Sequence, residues 1–376
     1  MKVVEKKGMC WALVAMLMLL LGLMPRTSAI IQPEKANSVL FVTQDHLSQS
    51  LDAIETIQSI ETLSDKTGAG IKGVVIDSGL LSELSDKNRE ILRSIVDRGI
   101  PVLYIGKDVV PDYVATHLDI SSAGGGYKSG EHSRLVAEGL FRRSDGLYHT
   151  ITIAVPVSYE ITTAPLLASA QHVIFATPDN SLQLPDAIQA SASWIIKGST
   201  SHLFEAGNSG RYYTSVACYI LDPALDGDNT KDYWQVRAQH TTTANQGGFK
   251  RVYSIIDPSS DMDQAIVEYG PPGDYTGGTT ASFSLSLMPP SVSFSFNVGS
   301  SATQLVNQSD PAYPRIRHYV DYGSGSPEAS GSLAWPQAFT LSVPEGTDSC
   351  LCFFMDTLNF ALGGTYGDDW YYWVAR

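Results

Sequence analysis

The sequence predicts an α/β domain, a parallel sheet flanked by helices, followed by an all-β, sandwich-like domain. Three observations carry this. Between Ser38 and Lys197, short apolar runs without alternation are separated by segments of helical spacing. After Gly198 the helical spacing disappears and turn-rich strands take over. In Ala281–Val298, "ASFSLSLMPPSVSFSFNV", serine alternates with large apolar residues on both sides of a Pro-Pro pair. The expected divisions are a signal peptide over 1–29, the α/β domain over 36–197 and the β domain over 202–376.

The first elements follow from residue spacing. Ser38–Val42 is a short apolar strand. Leu47, Leu51, Ile54, Ile57, Ile60 and Leu63 then recur every three or four residues, as on one side of a helix, and Gly68 and Gly70 stop it. Gly73–Asp77 is the second strand. Ser85 is an N-cap for a helix whose inner face is Ile91, Leu92, Ile95 and Val96, with Gly99 at its end. Pro101–Ile105 is the third strand, and Thr150–Ala154 and His172–Ala176 add two more. Strands apolar on both faces and joined by helices indicate a sheet covered on both sides. Ser191–Lys197 is a last strand or the exit from the domain.

In the second half, Tyr212–Leu221, Tyr233–Thr241, Val252–Ile256, Ala338–Val343 and Leu351–Met355 read as strands, punctuated by Gly, Ser, Pro and Asp. The 281–298 stretch is an amphipathic hairpin. Side chains alternate across a strand, so Phe283, Leu285 and Leu287 share one face and Val292, Phe294, Phe296 and Val298 share the corresponding face of the return strand. Serines occupy the other side. As a core hairpin of a soluble sandwich, these seven side chains would contribute about 1.5–3 kcal/mol each on burial. The same composition resembles the stem of secreted β-barrel pore-forming toxins. That resemblance implies a ribbon, 279–300, that inserts with its apolar side to lipid and its serines to a water-filled lumen. A spanning strand needs about 9–11 residues, more than the strict alternation supplies on either side. Strand exchange between copies is a third use of a charge-free hairpin.

Composition bounds the function. The 376 residues carry a formal charge of −14, and residues 201–376 hold 18 acidic against 8 basic residues. Such a surface repels nucleic acid and anionic membranes, which bind clustered Lys and Arg. At the N-terminus, Lys2, Lys6 and Lys7 precede the apolar run Met9–Met24. Pro25 and the small residues Thr27-Ser28-Ala29 follow, as in a cleaved export signal. An uncleaved anchor is the alternative, and both place the body at the cell surface or in the secreted fraction. Of the four cysteines, Cys10 falls in the signal. Cys350 and Cys352 share one strand face, so the expected bridge joins Cys218 to Cys350 or to Cys352; three buried free thiols are the other reading.

Chemistry was sought at the strand ends of the first domain, where open α/β sheets bind ligands. Ser78, His46 and Asp45 are the candidate nucleophile, base and orienter, though the Gly-x-Ser-x-Gly elbow is absent and Asp45 and Ser78 also suit helix caps. The alternating first half resembles the flavodoxin or glutamine-amidotransferase type of fold. The amidotransferase likeness would require a Cys after a strand, and Ile105-Gly106-Lys107 has none, which implies that such an activity is lost. Gly124–Gly130 misses both glycines of a phosphate loop. Asp222, Asp226 and Asp228 crowd one turn and Asp257, Asp261 and Asp263 another. Calcium is the cation such hard oxygens would take outside a cell, and solvated turns are the plainer reading. The histidines show no i, i+4 pair, so no metal is expected from them. Trp370–Trp373 reads as a closing aromatic strand, and Asn307-Gln308-Ser309 is a glycosylation sequon.

The expectation is an exported, non-enzymatic interaction module that binds a protein, glycan or cell-surface partner. The alternatives are a pore former using 279–300 and, third, a secreted hydrolase built on Ser78.

Overall fold

The computed structural model describes residues 38–375, apart from 44–52, 67–69, 108, 112, 121–124, 127–131, 177–193, 223, 225–226, 259–262, 287–290, 348 and 363. The expected signal over 1–29 lies outside the described residues.

In chain order the strands are β1 (Ser38–Val42), β2 (Ile54–Ile57), β3 (Ile71–Asp77), β4 (Val102–Ile105), β5 (Gly125–Gly126), β6 (Ser133–Arg142) and β7 (Tyr148–Pro156). Then come β8 (Trp194–Glu205), β9 (Gly210–Leu221), β10 (Lys231–Ala244), β11 (Phe249–Pro258), β12 (Ala265–Gly270), β13 (Tyr275–Thr276) and β14 (Thr280–Leu285). The last six are β15 (Val292–Asn297), β16 (Thr303–Asn307), β17 (Ile316–Tyr322), β18 (Ser332–Pro344), β19 (Ser349–Phe360) and β20 (Gly364–Ala375). The longer helices are α1 (Asp86–Asp97) and α2 (Thr163–Ala176).

An eleven-stranded mixed sheet runs β12-β18-β10-β9-β8-β7-β6-β4-β3-β1-β2, and a seven-stranded sheet runs β13-β16-β17-β11-β19-β20-β5. Among the described residues, β14 and β15 pair only with each other. Among the described residues 57% lie in strands and 16% in helices, which overturns the helix-flanked, flavodoxin-like reading of the first half. Among the described residues, β2-β1-β3-β4 forms a run of parallel neighbours, and β7 and β8 form one further parallel pair. β6 then returns antiparallel to β4, and β7 antiparallel to β6. The second reversal follows from the short connection around Asp145-Gly146: Arg143 N–H reaches Leu147 O at 2.7 Å and Gly146 takes φ +88°. A turn that tight leaves no room for a crossover helix, so the next strand must come back antiparallel.

Two other expectations fail locally. β2 stands where Ile54 and Ile57 suggested a helix, because its backbone pairs with the exposed edge of β1. His172–Ala176 is the last part of α2 rather than a strand; a short apolar run does not distinguish the two. The helix packs on the sheet over Gly73, where a Cβ would meet Ile174 Cδ1 at 2.7 Å. On the opposite face α1, capped by Ser85 Oγ accepting the Asn88 N–H at 3.3 Å, buries Leu92, Ile95 and Val96.

β8 spans Gly198, pairing parallel with β7 and antiparallel with β9, so the sheet is continuous there. Beyond it, β8, β9, β10 and β18 pack face to face on the seven-stranded sheet as a β-sandwich. Phe204, Tyr212, Val216, Trp234 and Val236 meet Val252, Ile256, Phe354 and Leu358 in one core. Trp370 stacks on Phe354 with ring centroids 3.9 Å apart and on His202 at 4.8 Å. That core holds a fully buried polar knot. His202 Nε2 contacts Asp368 Oδ2 at 2.5 Å, Asp368 Oδ1 accepts from Ser133 Oγ at 2.7 Å, and His202 Nδ1 lies 2.7 Å from Thr152 Oγ1.

Candidate functional site

The ribbon β14–β15 is the feature with the clearest functional geometry. Its register pairs Phe283 with Phe294, Ser284 with Ser293 and Ser282 with Ser295. The alternation read from sequence therefore becomes two faces. The described members of the apolar face, Phe283, Leu285, Val292, Phe294, Phe296 and Val298, are all buried, none more than 8% exposed. Leu287 lies outside the described residues. The serines face outward, and Ser284 and Ser293 share a hydroxyl hydrogen bond of 2.8 Å. The Phe283 and Phe294 rings stack at 4.7 Å, with Phe296 set edge-on to Phe283 at 6.3 Å.

The body shelters this face without hydrogen-bonding the strands into either large sheet. β14 lies against β12 and β18, and β15 against β18. The Phe283 ring sits directly over Gly270, where a Cβ would come within 2.0 Å of it. Two carboxylates fasten the ribbon. Glu268, at an irregularity in β12, accepts the Ser286 N–H at 2.7 Å. A bulge of this kind turns a side chain away from its regular direction. Glu328 accepts the Ser300 N–H at 2.9 Å and the hydroxyls of Ser300, Ser326 and Thr303 at 2.8, 2.7 and 3.1 Å. Partial burial alone would raise its pKa, but the donated hydrogen bonds outweigh it and hold the carboxyl down at about 2.

The ribbon leaves the body at glycines. Gly277 N–H reaches Thr303 O at 2.8 Å and Gly278 N–H reaches Gly299 O at 2.6 Å. Gly278 and Gly299 adopt φ +86° and +91°, which other L residues rarely adopt. Next to Gly299, a cleft of about 480 Å³ opens between the ribbon and β10–β18, lined by Gln239, Ser295, Phe296, Glu328 and Leu333 among others.

The candidate nucleophile is not part of a catalytic set in the described residues. Ser78 begins a 3-10 turn after β3, and its Oγ packs on the Gly106 backbone. Asp77 supplies the cap by accepting the Gly79 N–H at 3.0 Å. Asp45 and His46 lie outside the described residues. The acidic turns are engaged locally. Asp222 accepts the Ala224 N–H and Asp228 the Thr230 N–H, while Asp257 pairs with Arg315 at 2.8 Å. Asp263 adopts φ +49°, and Asp226 and Asp261 are outside the described residues. No group of three potential metal ligands occurs among the described residues. Cys218, Cys350 and Cys352 are all buried, each about 1% exposed.

Sequence reasoning missed Glu268 and Glu328. Neither carries a local motif, since each acts on a segment distant in the chain. The one available signal was the absence of any charge from Tyr275 to Ser309, which leaves the ribbon to be fastened by outside groups.

No protein-family model matches the chain, and no curated protein matches it. Solved structures similar to it include a pore forming protein, at 8% identity and TM-score 0.31, over 50% of this chain and 92% of that one. They also include Clostridium perfringens delta-toxin, at 9% and 0.31 over 47% and 86%. The collagen-binding domain of a Staphylococcus aureus adhesin matches at 10% and 0.23 over 40% and 92%. TM-scores this low carry no argument about activity.

Proposed function

We propose that this is an exported pore-forming protein, in which the 279–300 ribbon leaves the body and joins ribbons of other copies in a transmembrane β-barrel. One observation carries the reading: the ribbon is a separate two-stranded sheet, held by an apolar face and two carboxylates, so it can depart without breaking either large sheet. Counted to the glycines at its base, each arm, 277–286 and 291–300, reaches the roughly 9–11 residues that a spanning strand needs. Closed into a barrel, the strands would satisfy all backbone groups in lipid. Exposing the six buried side chains to water would cost on the order of 10 kcal/mol, so the ribbon stays docked in solution. Lipid would take over their shelter.

The test is dye release from vesicles by intact purified protein, across neutral and anionic, sterol-free and sterol-containing compositions. Release accompanied by ring-shaped oligomers is expected. Intact vesicles under every composition would end the reading.

A second reading, a binding module for a protein, glycan or cell-surface partner, is favoured by the outer face of the seven-stranded sheet. Phe353 and Trp373 are 36% and 37% exposed there, and the Arg251 guanidinium lies 4.8 Å from the Tyr319 ring centroid. Aromatic residues and Arg are the commonest energetic anchors of interfaces. The two readings are compatible if that face docks the body before the ribbon moves.

A further inference from the structure

A knot of three sulfurs lies between the two sheets. Cys218 is on β9, and Cys350 and Cys352 are on β19; each is about 1% exposed. The sheets approach closely there. Gly198 pairs with Cys218 across β8–β9, and a Cβ on it would stand 2.6 Å from Tyr372 Oη and 3.4 Å from Val374. Tyr372 and Val374 pair in turn with Cys352 and Cys350. The missing side chain at Gly198 therefore admits the layer that carries both β19 sulfurs. Cys350 is the middle sulfur, interacting with Cys218 on the facing sheet and with Cys352 on its own strand. Its Sγ also lies 3.6 Å from Gln264 Oε1.

We propose that Cys218 and Cys350 form a disulfide that staples the eleven-stranded sheet to the seven-stranded one, and that Cys352 remains a thiol. Export exposes a folding chain to oxidising small-molecule disulfides. Of the three thiols, Cys350 is the one whose pKa lies below the ordinary thiol value. The hydrogen bonds from Cys218 and Cys352 hold its pKa down, while burial pushes Cys218 up and the pairing with Cys350, with burial, pushes Cys352 up. As β19 docks, the Cys350 thiolate attacks one sulfur of the oxidant RSSR and expels RS⁻. Cys218 then loses its proton, and its thiolate attacks the Cys350 sulfur of the mixed disulfide and expels the second RS⁻. Two thiols and one RSSR become one protein disulfide and two RSH. The Cys350–Cys352 pair is disfavoured, because residues two apart on one extended strand hold their Cα atoms about 6.5–7 Å apart, at the edge of disulfide geometry.

The full chain is refolded with oxidised and reduced glutathione, then denatured, alkylated and analysed by intact mass and peptide mapping. The expected result is two alkylated thiols, Cys10 and Cys352, a cross-linked peptide pair containing Cys218 and Cys350, and a melting temperature several degrees above that of the reduced protein. Cys352→Ser should retain the bridge with only Cys10 left to alkylate, and Cys218→Ser should show three alkylated thiols. Four alkylated thiols in the wild type, or a bridge mapped to any other pair, would overturn the assignment. The wild-type count decides even if a variant does not fold, and it is independent of any membrane activity.

Discussion

Glu328 accepts both the backbone N–H and the hydroxyl of Ser300, at 2.9 and 2.8 Å, and this double bond ties the base of the ribbon to the body. Glu328→Gln removes the charge and turns half of the group into a donor facing hydroxyls. The clasp should weaken by about 1–3 kcal/mol, as for hydrogen bonds to charged groups. Limited proteolysis should then cut sooner near the ribbon base, and vesicle leakage should begin earlier at equal protein concentration. Unchanged proteolysis would mean the clasp is idle. Because the folded carboxyl sits near 2, below its ordinary 4.5, its contribution is complete above about pH 4.5 and fades as pH falls toward 2. Mild acid alone should therefore leave this clasp closed.

Gly270 and Phe283 give a test that leaves charge untouched. Gly270→Ala places a methyl where the Phe283 ring now lies, within 2.0 Å of its nearest atom. The ring must shift, and overpacking of this kind costs about 1–3 kcal/mol. The strain falls on the ribbon's dock rather than on the sandwich. Hydrogen exchange should rise over 279–300 while β9, β10 and β19 keep their protection. Loss of protection throughout would show that the ribbon is an integral part of the core.

Local patterns were legible where one rule acted alone. The Ala281–Val298 alternation, the Ser85 cap and the double-sided apolar runs of β1, β3 and β4 all appear in the fold as read. What escaped depends on distant partners. Nothing near His172 says that its run will lie as a helix over Gly73, and nothing near Leu135 says that β6 will close the parallel group. The flavodoxin-like expectation failed because a two-sided apolar strand looks the same with parallel or antiparallel neighbours. The antiparallel pairing of β6 with β4 ended the parallel run, and the turn at Gly146 then brought β7 back antiparallel to β6. At the ribbon, sequence supplied the two faces but not the dock, because Gly270, Glu268 and Glu328 act across the fold.

The serine face offers a variant that should not disturb folding. Ser282, Ser284, Ser293 and Ser295 are exposed in the docked state. Ser284→Asp should therefore change stability by no more than about 0.5 kcal/mol. In a barrel the same position lines the lumen, where a ring of carboxylates favours cations. Reversal potentials across planar bilayers should shift toward cation selectivity, and Ser284→Lys should shift them the other way. Identical selectivity for both variants would remove these serines from the lumen.

The buried histidines make the body sensitive to acid even though the clasp is not. Burial holds His149 and His240 near 3 and His318 near 4, below the ordinary 6.5. His318 is fixed between Pro271 O and Gln337 Nε2, both at 2.7 Å, and His240 Nδ1 lies 2.6 Å from Tyr212 Oη. In the unfolded chain these rings take up protons below about pH 6.5, whereas the folded chain keeps them neutral. Their contribution is complete above 6.5 and declines as pH falls toward 3–4. The melting temperature should therefore drop steadily from pH 7 to pH 4. His318→Gln should flatten part of that slope even if it lowers stability at pH 7, because a neutral side chain removes the linked proton. A slope identical to wild type would place the acid sensitivity in other groups. Since Pro271 follows the Gly270 that lies beneath Phe283, protonation of His318 would disturb the dock itself. Vesicle leakage at pH 4, where His318 takes up its proton, should then exceed that at pH 7, and His318→Gln should narrow the difference.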